Sequence, residues 1–469
     1  MREGMDAAEF DLIVIGAGPV GENVADRAVQ GGLSVAIVES ELVGGECSYW
    51  ACMPSKVLLR AGAALRAAND APGAGATGGV DVAAVLRRRD EIVHEWNDAG
   101  QVEWLQGAGI DLIRGHGTIT GEREVTVDGD RVLRARHAVA VCTGSAALLP
   151  DIPGLVDAAP WTSREATAVR EIPESLVILG GGVVACELAT AYASFGCAVT
   201  VLARSGLLGG MEPFAGDRVA TALRTAGVDV RTGVDAQRVT RSGSRVTVEL
   251  GDGTRVAASE ILVATGRTPR TGDVGLDAVG LEPGAWIDVD DTMRVRGSEW
   301  LYAVGDVTHR ALLTHQGKYQ ARAAGDVIAA RAQGVAVDDA PWGRHVATAD
   351  HAAVPQVTFT DPEVASVGLT EAAARKAGIA VRVLDYDLSW VAGASTHSAR
   401  YDGTARAIVD EDRGVLVGAT FVGPDVAELL HSATIAIVGE VPLRRLWHAV
   451  PPYPTLSEVW LRWLEEYDR

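Results

Sequence analysis

The sequence predicts an α/β protein built from two dinucleotide-binding βαβ units and a C-terminal α+β domain. Three observations predict it. A strand–glycine turn–helix–strand run opens the chain, a second such run begins at Leu176, and the last third alternates short strands with amphipathic helices.

In the first unit, Phe10 to Ile15 is a short apolar run of strand character. It breaks at Gly16-Ala17-Gly18-Pro19-Val20-Gly21, continues with helical periodicity through Val29, and returns to strand at Ser34 to Val38, ending on Glu39. Gly16, Gly18 and Gly21 suit a tight turn that a pyrophosphate approaches closely. The helix start suits its charge, and Glu39 suits the ribose hydroxyls. Cys47 and Cys52 follow in Gly44-Gly45-Glu46-Cys47-Ser48-Tyr49-Trp50-Ala51-Cys52-Met53-Pro54-Ser55-Lys56, a spacing that sets a redox dithiol beside a bound dinucleotide. A helical segment near Val80 to Trp104, a hairpin-like stretch from Gly115 to Arg136, and the run Ala138 to Ser145 containing Gly144 come next.

The second unit runs from strand Leu176–Leu179 through Gly180-Gly181-Gly182-Val183-Val184-Ala185 and a helix to Phe195, then strand Ala198–Leu202. Two Rossmann-like units imply two dinucleotides, and the natural redox pair is a flavin and a nicotinamide. Alternating strands follow (Val239 to Glu249, Arg255 to Ala257), then Ile261 to Pro269 with Gly266 at a turn. A buried strand from Trp300 ends at Gly305-Asp306, and a helix spans about Leu313 to Arg331. The stretch Pro341 to Ala353 lacks apolar periodicity and reads as a domain junction. Beyond it, strands at Gln356–Phe359, Val381–Asp387, Ala405–Asp410 and Val415–Val422 alternate with helices.

The 469 residues exceed what one core supports, and length suggests about three domains. A formal charge of −20 argues against a nucleic-acid partner, which needs clustered Lys and Arg. Five cysteines in a chain of this size are not a secreted disulfide framework, and a zinc site would need two further ligands near the close pair, so no metal is expected. Met1 to Phe10 has no apolar core of the signal-peptide kind, and no run of about 20 apolar residues could span a membrane. The expected location is the cytoplasm. Lys56 is one of only three lysines, with Lys318 and Lys376.

From Asp11 to about Glu458 the chain resembles the flavoprotein disulfide reductases, the group of dihydrolipoamide dehydrogenase, glutathione reductase and mercuric reductase. The resemblance is carried by the first fingerprint with Glu39, the Cys47/Cys52 segment ending Pro54-Ser55-Lys56, and Ala264-Thr265-Gly266-Arg267. Gly305-Asp306 and Pro454-Thr455-Leu456-Ser457-Glu458 complete it. It implies FAD, a nicotinamide donor, a small-molecule substrate, and a homodimer in which the C-terminal domain completes the partner's site. The expected domains are 1–150 (first part of the FAD domain), 151–270 (NAD(P)H), 271–345 (completing the FAD site) and 346–469 (dimerisation).

By that resemblance Cys52 faces the flavin and Cys47 meets the substrate, while Lys56 pairs with Glu187. Asp306 takes the flavin ribityl chain, and the helix from Thr314-His315 aims its N-terminal amides at the flavin ring. A helix starting near Cys52 would favour its thiolate. Cys142, Cys186 and Cys197 read as small buried hydrophobes. After the second unit's strand, where an acid would take both ribose hydroxyls of NAD, Ala203 and Arg204 stand. That choice, with Ala185 at the third glycine position, favours NADPH over NADH.

Two positions depart from the pattern. Tyr453 occupies the place of the acid–base His, with the spacing to Glu458 kept; a phenol of pKa about 10 is a poor base near neutrality. His448 lies five residues out of register, and a structural Tyr453 is the other reading. Glu46 replaces a small hydroxyl residue before Cys47; ionised there, it would oppose the thiolate. Both put lipoamide- or glutathione-type disulfides in doubt. The lack of an N-terminal metal-binding module and of a C-terminal cysteine pair weighs against mercuric reduction. The expected activity is electron transfer from NAD(P)H through FAD to Cys47–Cys52 and on to a disulfide or related acceptor. The alternatives are a quinone reductase or diaphorase working directly from reduced flavin, and a non-catalytic subunit of a larger complex.

Overall fold

The computed structural model describes residues 8–469; most of the Met1–Phe10 stretch therefore lies outside the described residues. The chain divides into two compact units. One holds the residues up to Met53, Asp90–Ala146 and Arg267–Asp350; the other holds Pro54–Arg89, Ala147–Gly266 and His351–Arg469.

The first unit is organised around strand Ala8–Ile15, paired in parallel with Val35–Glu39 on one side and Arg131–Val141 on the other. Asp111–Arg114 and Leu301–Ala303 extend the parallel part, while Glu124–Val127 and Gly117–Gly121 add antiparallel strands. Parallel strands are covered on both faces, which is why they read as unbroken apolar runs. Leu12, Ile13 and Val14 are all 0% exposed, and each contributes about 1.5–3 kcal/mol by its burial.

Helix Pro19–Gln30 starts on a proline, whose missing N–H costs nothing in a first turn. It lies beside helix Thr314–Ala332, and glycines let the two backbones approach. A Cβ on Gly317 would fall 2.6 Å from Val20 Cγ2, and one on Gly325 2.8 Å from the Val24 carbonyl oxygen. Arg27 locks the pair through two hydrogen bonds of 2.8 Å to Asp326. Val20 therefore sits against Gly317, and the N-terminal ends of the two helices converge on the same region.

In the second unit, four parallel strands run in the order Asp229–Thr232, Ala198–Ala203, Ser175–Leu179, Glu260–Val263. A three-stranded antiparallel sheet follows from Ala236–Ser242, Arg245–Leu250 and Arg255–Ala258. The C-terminal part is a five-stranded antiparallel sheet ordered Pro355–Thr358, Glu363–Gly368, Val415–Gly423, Thr404–Asp410, Val381–Asp387.

Three expectations need correction. The helix read over Val80 to Trp104 is two helices, Val82–Ile92 and Ala99–Gly107, separated by the turn His94–Trp96. All three turn residues have positive φ, and Asp81 and Asn97 each accept a backbone N–H near the starts of the two helices; apolar spacing reports neither. The stretch from Gly115 to Arg136 contributes three strands, not one hairpin. Strand Glu363–Gly368 was not anticipated although it lies inside the C-terminal sheet. Its Val364 and Ala365 are both fully buried, so the alternation that marks a half-exposed strand is absent. Among the described residues no helix is long and apolar enough to cross a membrane.

Candidate active site

The first glycine turn is shaped for a dinucleotide. Gly16 has φ +101°, and a Cβ there would lie 2.6 Å from the Cys142 carbonyl oxygen; one on Gly21 would lie 1.9 Å from the Gly16 carbonyl oxygen. On Gly18, by contrast, a Cβ would meet nothing nearer than 4.0 Å, so open space faces the helix start where a pyrophosphate would lie. Glu39 ends its strand with one carboxylate oxygen accepting from the Ala17 amide at 2.7 Å and the other from Glu41 at 2.7 Å. The turn thus fixes the acid expected at the ribose. Gly144, φ +74°, likewise has nothing within 4 Å of a built Cβ. These cradles fit FAD.

Around Gly144, Asp306 accepts a hydrogen bond of 2.5 Å from Ser145 Oγ, and Arg267 donates to Ser145 through Nε at 2.5 Å and Nη2 at 2.6 Å. Ser145 and Arg267 hold Asp306 in place. Arg267 belongs to the run Ala264 to Arg267 already singled out, whereas Ser145 carried no distinctive signal of its own, because its role depends on Asp306, more than 150 residues away in the chain.

The cysteines lie on consecutive short elements. Cys47 is within helix Gly45–Tyr49, and Cys52 is the first residue of helix Cys52–Asp70, where the helix dipole favours a thiolate. Both are partly exposed. Thr314, read as a flavin-site residue, also touches the dithiol: its Oγ1 lies 3.3 Å from Cys52 Sγ. The Cys47 thiol is pushed far up, chiefly by its hydrogen bond with Cys52 and next by burial, while Thr314 and Lys318 pull it back. Glu46 does not sit as a bare carboxylate beside Cys47: Arg270 donates to it at 2.6 Å.

In the second unit, Lys56 lies one helical turn after Cys52 and its ammonium is 2.7 Å from Glu187. Glu187 is buried in helix Val183–Ser194, and its other oxygen accepts from the Phe359 amide at 2.9 Å. The Lys56 ammonium also stands 5.0 Å over the Phe359 ring. Phe359 was missed because an aromatic at a strand end reads as core. In the second fingerprint, Gly180 has φ +126°, with a Cβ clashing at 2.2 Å against the Ala264 carbonyl oxygen, whereas Gly182 opens onto free space. Ala185 is fully buried in the helix behind it. Arg204 is exposed just past strand Ala198–Ala203. Gly266, φ +153°, accepts from the Leu148 amide at 2.9 Å.

Tyr453 is 78% exposed. Glu458 is buried, and its Oε1 accepts from the Thr455 and Gly393 amides, both at 3.2 Å. Its visible work is to fasten the loop that carries Tyr453. Cys142, Cys186 and Cys197 are buried, and burial raises all three thiols, the latter two to about 12.

Residues 10–334 match the family model described as pyridine nucleotide-disulphide oxidoreductase, and residues 354–463 match its dimerisation domain. A dihydrolipoyl dehydrogenase of Halobacterium salinarum is 34% identical over 471 residues, covering 96% of this chain and 94% of the relative. A mercuric reductase of Shigella flexneri is 34% identical over 465 residues, covering 95% and 79%. Among solved structures, the Cu(II) complex of the HOCl-induced flavoprotein disulfide reductase RclA from Escherichia coli has a TM-score of 0.83 at 24% identity. It covers 98% of this chain and 99% of that one, a likeness of fold.

Proposed function

Because the chain belongs to the pyridine nucleotide-disulphide oxidoreductase family, we propose that it passes electrons from NADPH to the Cys47–Cys52 pair and on to a disulfide or related acceptor. FAD, when bound, supplies the two-electron relay between nicotinamide and sulfur. In this reading residues 1–150 and 271–345 hold it, through Gly16, Gly18, Gly21, Glu39, Gly144 and Asp306. Residues 151–270 take the nicotinamide nucleotide through Gly180, Gly182, Ala185 and Gly266, with Arg204 at the 2′-phosphate. Residues 346–469 form the dimer.

The observation that carries the proposal is the 3.3 Å contact of Cys52 Sγ with Thr314 Oγ1, which sets the pair at the start of helix Thr314–Ala332. Two electrons and one proton open a Cys47–Cys52 disulfide to a Cys47 thiol and a Cys52 thiolate. The Cys52 helix start stabilises the thiolate, and the Lys56–Glu187 pair balances charge one turn farther along that helix. Cys47 then attacks the acceptor disulfide: a Cys47–sulfur bond forms as the acceptor S–S bond breaks, the Cys47 proton leaves with the first acceptor thiol, and the Cys52 thiolate displaces the second acceptor sulfur, which takes a proton from water, to re-form Cys47–Cys52. NADPH turnover with a panel of disulfides tests the proposal: Cys47→Ser should lose at least about 100-fold in rate, the scale of a lost nucleophile, and unchanged turnover would contradict it. A mercuric salt belongs in the panel because relatives are named for mercuric reduction.

A second reading, direct reduction of a quinone, is favoured by one observation. Tyr453 stands where the acid–base His would, and transfer from reduced flavin to a quinone needs no imidazole there. Quinone reduction that survives loss of both Cys47 and Cys52 would establish this route.

A further inference from the structure

The stretch Arg267–Arg270 carries two guanidinium groups with different partners. Arg267 secures Ser145 beside Asp306. Arg270 goes to the dithiol segment: Nη2 donates to Glu46 Oε1 at 2.6 Å, and Nη1 lies 3.8 Å from Glu41. Its backbone is held on both sides. Its N–H donates to the Gly144 carbonyl at 3.0 Å, and its carbonyl accepts from Thr143 Oγ1 at 2.6 Å. Arg270 Nε is buried without a partner, so the guanidinium is committed to the carboxylates rather than hydrated. The Glu46 segment is equally constrained, since Gly45 packs against Gly18 with 2.9 Å between a built Cβ and the Gly18 Cα.

We infer that Arg270 is a positioning residue for the dithiol: it holds the Glu46 carboxylate on its own side and neutralises it, so that this acid, adjacent in sequence to Cys47, does not oppose the Cys47 thiolate. The small hydroxyl expected before the first cysteine is thus replaced by an ion pair. The other groups that face Cys47 are Cys52 on the next helix and Thr314 and Lys318 on helix Thr314–Ala332; buried Glu22, on helix Pro19–Gln30, lies within the field of Lys318. Among these groups Glu46 adjoins Cys47 in the chain, and Arg270 donates to it directly at 2.6 Å.

The inference rests on Cys47 being the outward thiol of the redox pair, but its test needs no turnover. In flavin-loaded Cys52→Ser protein, alkylation of Cys47 by iodoacetamide is followed against pH by peptide mass spectrometry. Arg270→Met should move the alkylation midpoint up by about one pH unit, as a neighbouring carboxylate that has lost its guanidinium does. Glu46→Gln added to Arg270→Met should return it, whereas a merely structural role for Arg270 would leave the double variant as displaced as the single. Glu46→Gln alone, which keeps the cation, should lower the midpoint, and it decides the matter if Arg270→Met fails to fold. An unmoved midpoint in Arg270→Met, or no return in the double variant, overturns the inference. Failure of the proposed function would show instead as missing electron transfer with these midpoints intact.

Discussion

Glu22 is 8% exposed, one residue beyond the last fingerprint glycine, and its Oε1 is buried without a partner. Burial raises its carboxyl to about 7, with Glu39 pushing the same way and Lys318 opposing. A carboxyl raised in the folded state contributes stability that is complete below its unfolded pKa, near 4.5, and is lost as pH rises through about 7. The loss amounts to up to about 3 kcal/mol. Glu22→Gln should therefore raise the melting temperature by a few degrees at pH 8 and leave it unchanged at pH 4.5. An equal shift at both values would contradict the burial account. At this scale the sequence was uneven. Cys47, Cys52, Lys56 and Glu187 were legible because a pattern ties them together, and the structure brings Lys56 and Glu187 within 2.7 Å. Arg270, Phe359 and Ser145 were not, since each acts through a partner at least 120 residues away in the chain.

Elements place these residues. The first glycine turn tolerates no side chain at Gly21, where a Cβ would sit 1.9 Å from a carbonyl oxygen. Gly21→Ala should cut the flavin absorbance per purified chain to below about a tenth of wild type, because the turn must move to admit the methyl group; full retention would contradict the assignment of the site. On helix Cys52–Asp70, Lys56→Met takes the ammonium from Glu187 and leaves it, among the described residues, the Phe359 amide. A buried carboxylate deprived of its partner costs about 1–3 kcal/mol. Urea unfolding should show that loss, and adding Glu187→Gln should recover the stability without recovering turnover. Recovery of both would mean the pair is structural only. The βαβ units could be read in sequence because glycine spacing and apolar runs are local signals. The division of the Val80–Trp104 segment and the strand Glu363–Gly368 could not, because positive-φ turns and two-sided burial leave no periodic trace.

Across the whole molecule, the C-terminal domain leaves Val450 at 84%, Tyr453 at 78%, Ile435 at 57% and Trp447 at 44% exposure. Apolar groups gathered on one domain that matches the family's dimerisation model imply a covered face. Sedimentation equilibrium should return about twice the 49.0 kDa chain mass; a monomer at micromolar concentration would contradict it. The fold class was readable because each nucleotide unit carries its own fingerprint. The electron acceptor was not, since Tyr453 and Glu46 depart from the pattern that would name it. The central claim, that Cys47 and Cys52 accept electrons from the flavin, is tested most directly by anaerobic titration of the flavin-loaded protein with NADPH, recorded as full visible spectra. The account predicts a long-wavelength absorption band after two electrons per flavin, and its loss in Cys52→Ser. Bleaching of the flavin with no such band would contradict it.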